Sequence, residues 1–481
     1  MNFVEINDTQ KKHLNNHKLV LLLTNLSKKD LNAFQKYLHS PFFNQRTDVI
    51  ELYELLLKGI RSGNGVPEKE AIFQCIYSDT PFSDQNFRLL FSYLYKLCEQ
   101  FLGIQEILEN PLLMQTKSAV RLRKKKTPIL FQKCINQISD KLEKQPLRNS
   151  FYFEHLRNIK IEQYRFDSEQ RPSDQLNLQE LSDTIDIAYL VNKLQHVCTL
   201  LSHQSVYTIK YNIGLLEPVL SYIENKNLLQ IPAINVYYHC YWMLREADVE
   251  SRFWTFKKLL FEYDHYFSDS EVKDLYTLAT NICIRRMNAG YEGYFQEALD
   301  IYKEGIRKEY LLQDGTLSRR TYHNIVGVGL QTKDYEWVDF FIHNYKNSVE
   351  KKFRESAFSF NLARLEYMRK NYDTVQDLLQ KSNYRDILIN LSAKTILLKI
   401  YYEQHEFDLL HSHLDAMKNY IRRKSVLGYH RTNYTNIVKF ARQLMLLNPY
   451  DANARKQLEA SIRSEQVLTE REWFLATVNA L

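Results

Sequence analysis

The sequence predicts an all-α protein, a helical N-terminal domain followed by an α-solenoid of antiparallel helix pairs. Three observations carry this. Glycine and proline are scarce, apolar residues recur at helical spacing along most of the chain, and the C-terminal half repeats itself every 35 to 40 residues or so.

An average chain of this length would hold roughly 34 Gly and 24 Pro; this one holds 12 and 10 in 481 residues. Sandwiches, barrels and doubly wound sheets place these residues at their turns, so long helices joined by short polar loops are implied. The hydrophobic fraction of 44% and aromatic fraction of 13% belong to a folded chain. The 33 tyrosines are read as compositional bias, not as a binding signal. The length exceeds what one ordinary core supports.

The N-terminal residues lack the basic start and apolar run of a secretory leader, and none is expected. The run Leu19 to Leu23 is too short to span a bilayer, so no membrane partner is expected. Six scattered cysteines include no C-x-x-C pair; most sit among apolar neighbours, as buried free thiols in a reducing compartment, the cytoplasm. A net charge of +7 is mild and does not by itself imply nucleic acid.

Taken in order, Ser27 stands three residues before Asp30, a variant of the capping box, and Leu31, Phe34, Tyr37 and Leu38 follow at helical spacing. Ser40-Pro41 ends that helix. A second helix is expected near Thr47 to Leu57, and Arg61 to Pro67 is the most turn-rich stretch of the chain. A third helix starts near Pro67. A fourth follows Ser83-Asp84 and carries Phe87, Leu90, Phe91, Leu94, Leu97, Cys98 and Phe101 as a wide apolar stripe. These elements form a domain over 1–110.

Charged helices over 111–174 bridge to the rest, with Arg171 to Asp174 as the boundary. The solenoid takes 175–481. It opens on a long helix with Leu178, Leu181, Ile185, Ala188, Val191, Leu194, Val197 and Leu201 on one face. The stretch Ser205 to Ile213 is rich in β-branched residues but keeps helical spacing at Val206, Ile209 and Ile213, and is read as helix.

After residue 280, Phe295, Tyr335, Tyr372 and Phe407 each follow a polar turn at the start of a second helix, at steps of 40, 37 and 35 residues. Such a period belongs to helix-turn-helix repeats, in which each pair buries its face on the next. Leu362-Ala363, Tyr372, Val375 and Leu379, then Leu397-Leu398, Phe407, Leu410 and Leu414, resemble tetratricopeptide repeats. Val and Leu fill positions that are small in that family, and the repeat-ending proline is absent, so pairs are expected to pack at altered angles. Across its length the chain is also similar to an uncharacterised family of long helical bacterial proteins, through Leu26 to Phe34 and Ser40 to Asn44. That resemblance implies no activity. Thr469 to Glu472 reads as a capping box opening a short helix with Trp473, Phe474, Leu475, Val478 and Leu481, suited to closing the array.

No catalytic or cofactor signature is present, and neither an enzyme nor a cofactor is expected. Gly327-Val-Gly329 lacks the third glycine of a dinucleotide loop and lies in a helical pattern, where close packing is its expected role. His13 and His17 stand four apart without a third ligand and among lysines, and His411 and His413 point to different helix faces; no metal is expected.

The leading expectation is a non-enzymatic scaffold that binds a protein or peptide along the concave face. In the resembled family exposed positions of each first helix line the groove. Here these are Arg320 and His323, then Phe360, Arg364 and Tyr367, then Lys399 and Tyr402, a cationic and aromatic set suited to an acidic or carboxylate-bearing peptide. The alternative is a nucleic-acid-associated protein using the basic run Lys117, Arg121, Arg123, Lys124, Lys125 and Lys126. A solvated helix end is the plainer reading of that run, since cations are favoured near a helix C-terminus and Thr127-Pro128 breaks the helix there.

Overall fold

Twenty-three α-helices and a few single 3-10 turns make up the regular structure of the described residues, with two isolated β-bridges and no strand. The structure is a computed structural model and describes residues 14–62, 65–170, 176–207, 209–380, 386–424 and 428–481. No helix among them is long and apolar enough to cross a membrane. Contacts divide the chain into two units. The first takes the described residues up to Pro146 together with Ser150–Ala188; the second takes Leu147–Asn149 and Tyr189–Leu481.

In the first unit, α1 (Lys18–Asn25), α2 (Lys28–Leu38), α3 (Thr47–Ser62), α4 (Lys69–Ile76) and α5 (Asp84–Glu109) share one core. The expected capping box forms: Ser27 Oγ accepts from Asp30 N at 3.1 Å, and Asp30 Oδ2 accepts from Ser27 N at 3.3 Å. Phe34, fully buried, meets Tyr53 and Phe101 at ring distances of 5.2 Å each. All seven residues of the expected α5 stripe are buried. α3 outruns its expected end at Leu57 because Gly59 is buried and Ile60 still packs against the core. The short α1 has no counterpart among the expected helices. His17 caps it, its Nδ1 accepting from Leu19 N at 3.2 Å, while His13 lies outside the described residues, as do Gly63 and Asn64 of the turn-rich stretch.

A second core of the same unit lies between α6 (Pro111–Lys124), α7 (Pro128–Lys144) and α8 (Ser150–Gln170), around Leu112, Phe131, Ile135, Ile138, Leu142 and Ile159. Asn110, the cap of α6, separates the two cores. The expected boundary Arg171 to Asp174 lies outside the described residues, and the division between units falls inside α9 (Leu178–Val206). On α9, Leu181, Ala188, Val191, Leu194 and Val197 are buried as expected, whereas Leu178 and Ile185 are exposed.

The stretch after α9 is not the expected helix: 209–213 has no regular structure. Tyr207 and Ile209 are exposed, so a helix there would bury no apolar stripe to offset the side-chain freedom that β-branched residues lose.

The second unit continues with α10 (Leu216–Asn225), α11 (Pro232–Arg245), α12 (Glu250–Tyr263), α13 (Asp269–Asn288), α14 (Gly293–Arg307), α15 (Arg319–Gln331), α16 (Tyr335–Asn344), α17 (Arg354–Met368), α18 (Tyr372–Gln380), α19 (Ile387–Glu403), α20 (Phe407–Arg423), α21 (Gly428–Leu446), α22 (Ala452–Ser464) and α23 (Arg471–Asn479). From α11 to α21 each helix packs on the next, and α15, α17, α19 and α21 also touch in succession.

Tyr335, Tyr372 and Phe407 open α16, α18 and α20, while Phe295 is the third residue of α14. Two residues before each of the first three stands a left-handed residue that is not glycine: Lys333 (φ 59°), Lys370 (φ 63°) and His405 (φ 59°). The residue after each donates its N–H to a carbonyl five positions back, Asp334 to Gly329 O at 3.2 Å, Asn371 to Glu366 O at 2.9 Å and Glu406 to Tyr401 O at 2.8 Å, the bond that closes a Schellman turn. A side chain in this conformation costs about 1–2 kcal/mol, partly offset by the entropy a glycine would lose. Lys333→Gly, Lys370→Gly and His405→Gly are therefore each expected to stabilise the second unit by about 0.5–1 kcal/mol, read as a higher urea midpoint.

The capping box expected at Thr469 does not form. Glu470, not Thr469, caps α23, and its side chain makes no cap bond. Thr469 N donates instead to Asn433 Oδ1 at 2.8 Å, and the Glu470 carboxylate is drawn to Lys399. Phe474, Leu475 and Val478 are buried against α19 to α22, while Leu481 stays exposed.

Candidate functional site

Residues of α15, α17, α19 and α21, with Ile284 and Met287 of α13 and Phe295 of α14, line a cavity of about 630 Å³ in the second unit. Ser318 caps α15 through Thr321 N at 3.1 Å, and Asp386 caps α19 through Leu388 N at 2.9 Å, which fixes where each helix starts and so which residues face inward. Five of the seven expected groove residues line the cavity: His323, Phe360, Arg364, Tyr367 and Lys399. Arg320 is exposed and lies outside the lining. Tyr402 does not belong to the site. Although it follows Lys399 by three residues on the same helix face, it is buried in the core, its ring 5.9 Å from Phe407 and 5.8 Å from Trp473, which draw it toward α20 and α23.

Arg364 is the unusual member. Its Nη1 donates to His323 O at 3.1 Å and to Asn361 Oδ1 at 3.3 Å, and no carboxylate among the described residues pairs with it. Burial lowers its pKa to about 10, far enough above neutrality that it stays cationic. The guanidinium lies against α15 at Gly327, where an added Cβ would sit 2.9 Å from Nη2. A Cβ on Gly329 would overlap Val338. The glycine pair is thus a packing device, as its helical setting implied.

The hydrogen bonds fix the tautomer of His323. Guanidinium only donates, so the Asn361 atom facing Arg364 is its oxygen, and Asn361 Nδ2 donates to Ala357 O at 2.9 Å and to His323 Nδ1 at 2.8 Å. Nδ1 therefore accepts and the proton sits on Nε2, a buried atom with no protein acceptor in reach among the described residues. Burial first, then Arg364 and Arg319, push the His323 pKa down to about 4, against Asp386, so the ring is neutral at pH 7.

The neighbouring polar groups are already engaged. Lys399 pairs with Glu470, Tyr367 Oη donates to Glu403 Oε1 at 2.7 Å, and Trp473 Nε1 donates to the same oxygen at 2.7 Å. Burial, then Glu403, raises the Tyr367 phenol, so the cavity sees its ring and not an ionised oxygen. The charged lining groups, imidazoles aside, are two cations and one carboxylate: Arg364, Lys399 and Glu470. Sequence reading missed Asn361, Asn433 and Glu470. Asn361 had a detectable signal, an amide inside an otherwise apolar helix face; Glu470 had none, being an unassigned position between Thr469 and Glu472 of the expected capping box.

The basic run in the first unit is only partly a surface. Lys117, Arg121 and Lys124 of α6 and Lys125 and Lys126 just after it are exposed, but Arg123 turns inward. Its Nε pairs with Glu162 Oε2 at 2.9 Å, its Nη1 with Glu169, and Glu162 also takes Arg165 Nη1 at 2.6 Å. The reason is helical phase: Arg123 lies four residues from buried Ala119 and shares its inner face.

No family model, curated protein or solved structure matches the chain.

Proposed function

We propose that this chain is a non-enzymatic interaction scaffold whose second unit is a tetratricopeptide-like α-solenoid of antiparallel helix pairs, and that its groove binds an acidic segment of a protein or peptide. The observation that carries the reading is the convergence of His323, Phe360, Arg364, Tyr367 and Lys399, drawn from three successive first helices, on one cavity with an excess of positive charge. Successive contacts of α15, α17, α19 and α21 support a stacked array, because only stacking brings equivalent helices of neighbouring pairs together. Aromatic walls and a half-buried cation suit recognition of a carboxylate-bearing chain. The reading places the protein in the cytoplasm, where six unpaired cysteines stay reduced.

A fluorescent decapeptide of alternating Glu and Leu tests it. Saturable anisotropy is expected, with amide-exchange protection confined to α15, α17, α19 and α21. No binding, or protection confined to other helices, would overturn the groove reading.

A further inference from the structure

Resting on that groove reading, we infer that Arg364 and His323 form a preorganised oxyanion receptor at the cavity wall, taking one carboxylate or phosphate group of the ligand. Both side chains at this corner are donors, the guanidinium of Arg364 and the Nε2–H of His323. Arg364 uses Nη1 on two neutral acceptors and has no carboxylate partner among the described residues. Asn361 is consumed holding both residues, its oxygen on the guanidinium and its nitrogen on the imidazole. That arrangement points the His323 proton at Nε2, where no protein acceptor waits among the described residues. A donor pair of one cation and one neutral N–H, with no competing acceptor, is the chemistry that selects an oxyanion over a cation or a neutral group.

The charge count points the same way. Glu470, the one carboxylate lining the cavity among the described residues, is paired with Lys399 and acts on Arg364 only through space, so two cations share one carboxylate and the site keeps a net positive charge. A half-buried cation in that condition is costly, and an incoming anion reduces the cost. Gly327 gives the guanidinium room: Nη2 lies 2.9 Å from where a Cβ at 327 would stand. His323 is neutral around pH 7, so its share of the binding does not depend on taking up a proton.

The two sources of oxyanion are separated by titrating the intact chain with N-acetylglutamate and with inorganic phosphate, using chloride at matched ionic strength as the control. One of the two is expected to bind with a dissociation constant of about 1 mM or below, measured by calorimetry. Arg364→Met should weaken it by about tenfold or more and Arg364→Lys by less, since an ammonium gives up the forked geometry. His323→Gln should weaken it by a smaller factor. Arg364→Met removes a half-buried charge and should unfold no more easily than the parent chain, which guards against a folding artefact. Affinity for N-acetylglutamate should stay flat between about pH 6 and 8, where the imidazole carries its single proton throughout. Preference for N-acetylglutamate assigns the site to a peptide carboxylate; preference for phosphate assigns it to a phosphorylated group. Equal affinity in Arg364→Met, no binding of either anion, or an equal response to chloride would overturn the receptor. Its failure differs from failure of the groove: a decapeptide with every carboxylate amidated that still protects the same helices leaves the groove standing without the receptor.

Discussion

Arg123→Ala is expected to destabilise the first unit by about 3 kcal/mol, because it strands Glu162 as a buried carboxylate. The two side chains are 10% and 6% exposed, so water cannot replace the lost partner. Arg165 reaches Glu162 from a half-exposed position and holds the loss toward the lower end of what breaking a buried pair costs. Replacing both partners, Arg123→Met with Glu162→Leu, should return most of the stability, since the paired charges gain little over apolar groups of similar size. Lys124→Ser, Lys125→Ser and Lys126→Ser should each change stability by less than about 0.5 kcal/mol. All four tryptophans lie in the second unit, so amide exchange across α6 to α8 is the readout here. Equal effects of Arg123→Ala and Lys124→Ser would refute the inward assignment of Arg123. The result also bears on nucleic acid: a cation committed to Glu162 and Glu169 is withdrawn from any phosphate-binding surface.

The second large effect is acid sensitivity of the second unit. His323 titrates near 4 in the folded chain and near its ordinary 6.5 when unfolded. Between those values the unfolded chain takes up a proton that the folded one refuses, so stability falls as pH falls from 6.5 to 4. At 1.36 kcal/mol per unit the His323 share is about 3 kcal/mol. His239 and His413, also lowered by burial, add in the same direction. His323→Gln keeps an acceptor for Asn361 and does not titrate, so it should flatten the dependence without abolishing it. Urea unfolding followed by tryptophan fluorescence at pH 7 and pH 4 reads the second unit alone, and an unchanged slope in His323→Gln would sink the assignment.

Helices with a wide apolar stripe are legible in the sequence. The stripe from Phe87 to Phe101 and the markers Tyr335, Tyr372 and Phe407 follow from spacing alone, because a buried helix face has one period. The irregular 209–213 is not legible: helical spacing exists there but nothing covers it, and burial decides between pattern and structure. The cavity is half legible. Groove positions follow from helix phase, which puts His323, Phe360 and Arg364 on the inner wall. Tyr402 sits at the same phase and is claimed by Trp473, a contact 71 residues away that local spacing cannot report. The roles inside the cavity are hidden for the same reason, since the Asn361 bridge and the Lys399–Glu470 pair depend on which helices meet.

Gly327 and Arg364 also tie two distant codons together. An alanine at 327 would bring its Cβ to 2.9 Å from Nη2, and the three nearest atoms it would meet all belong to Arg364, so the guanidinium, the free end of a long side chain, would have to give way. What can stand at 327 therefore depends on where the 364 side chain lies, and an alanine there should move the guanidinium off α15 without unfolding the helix pair.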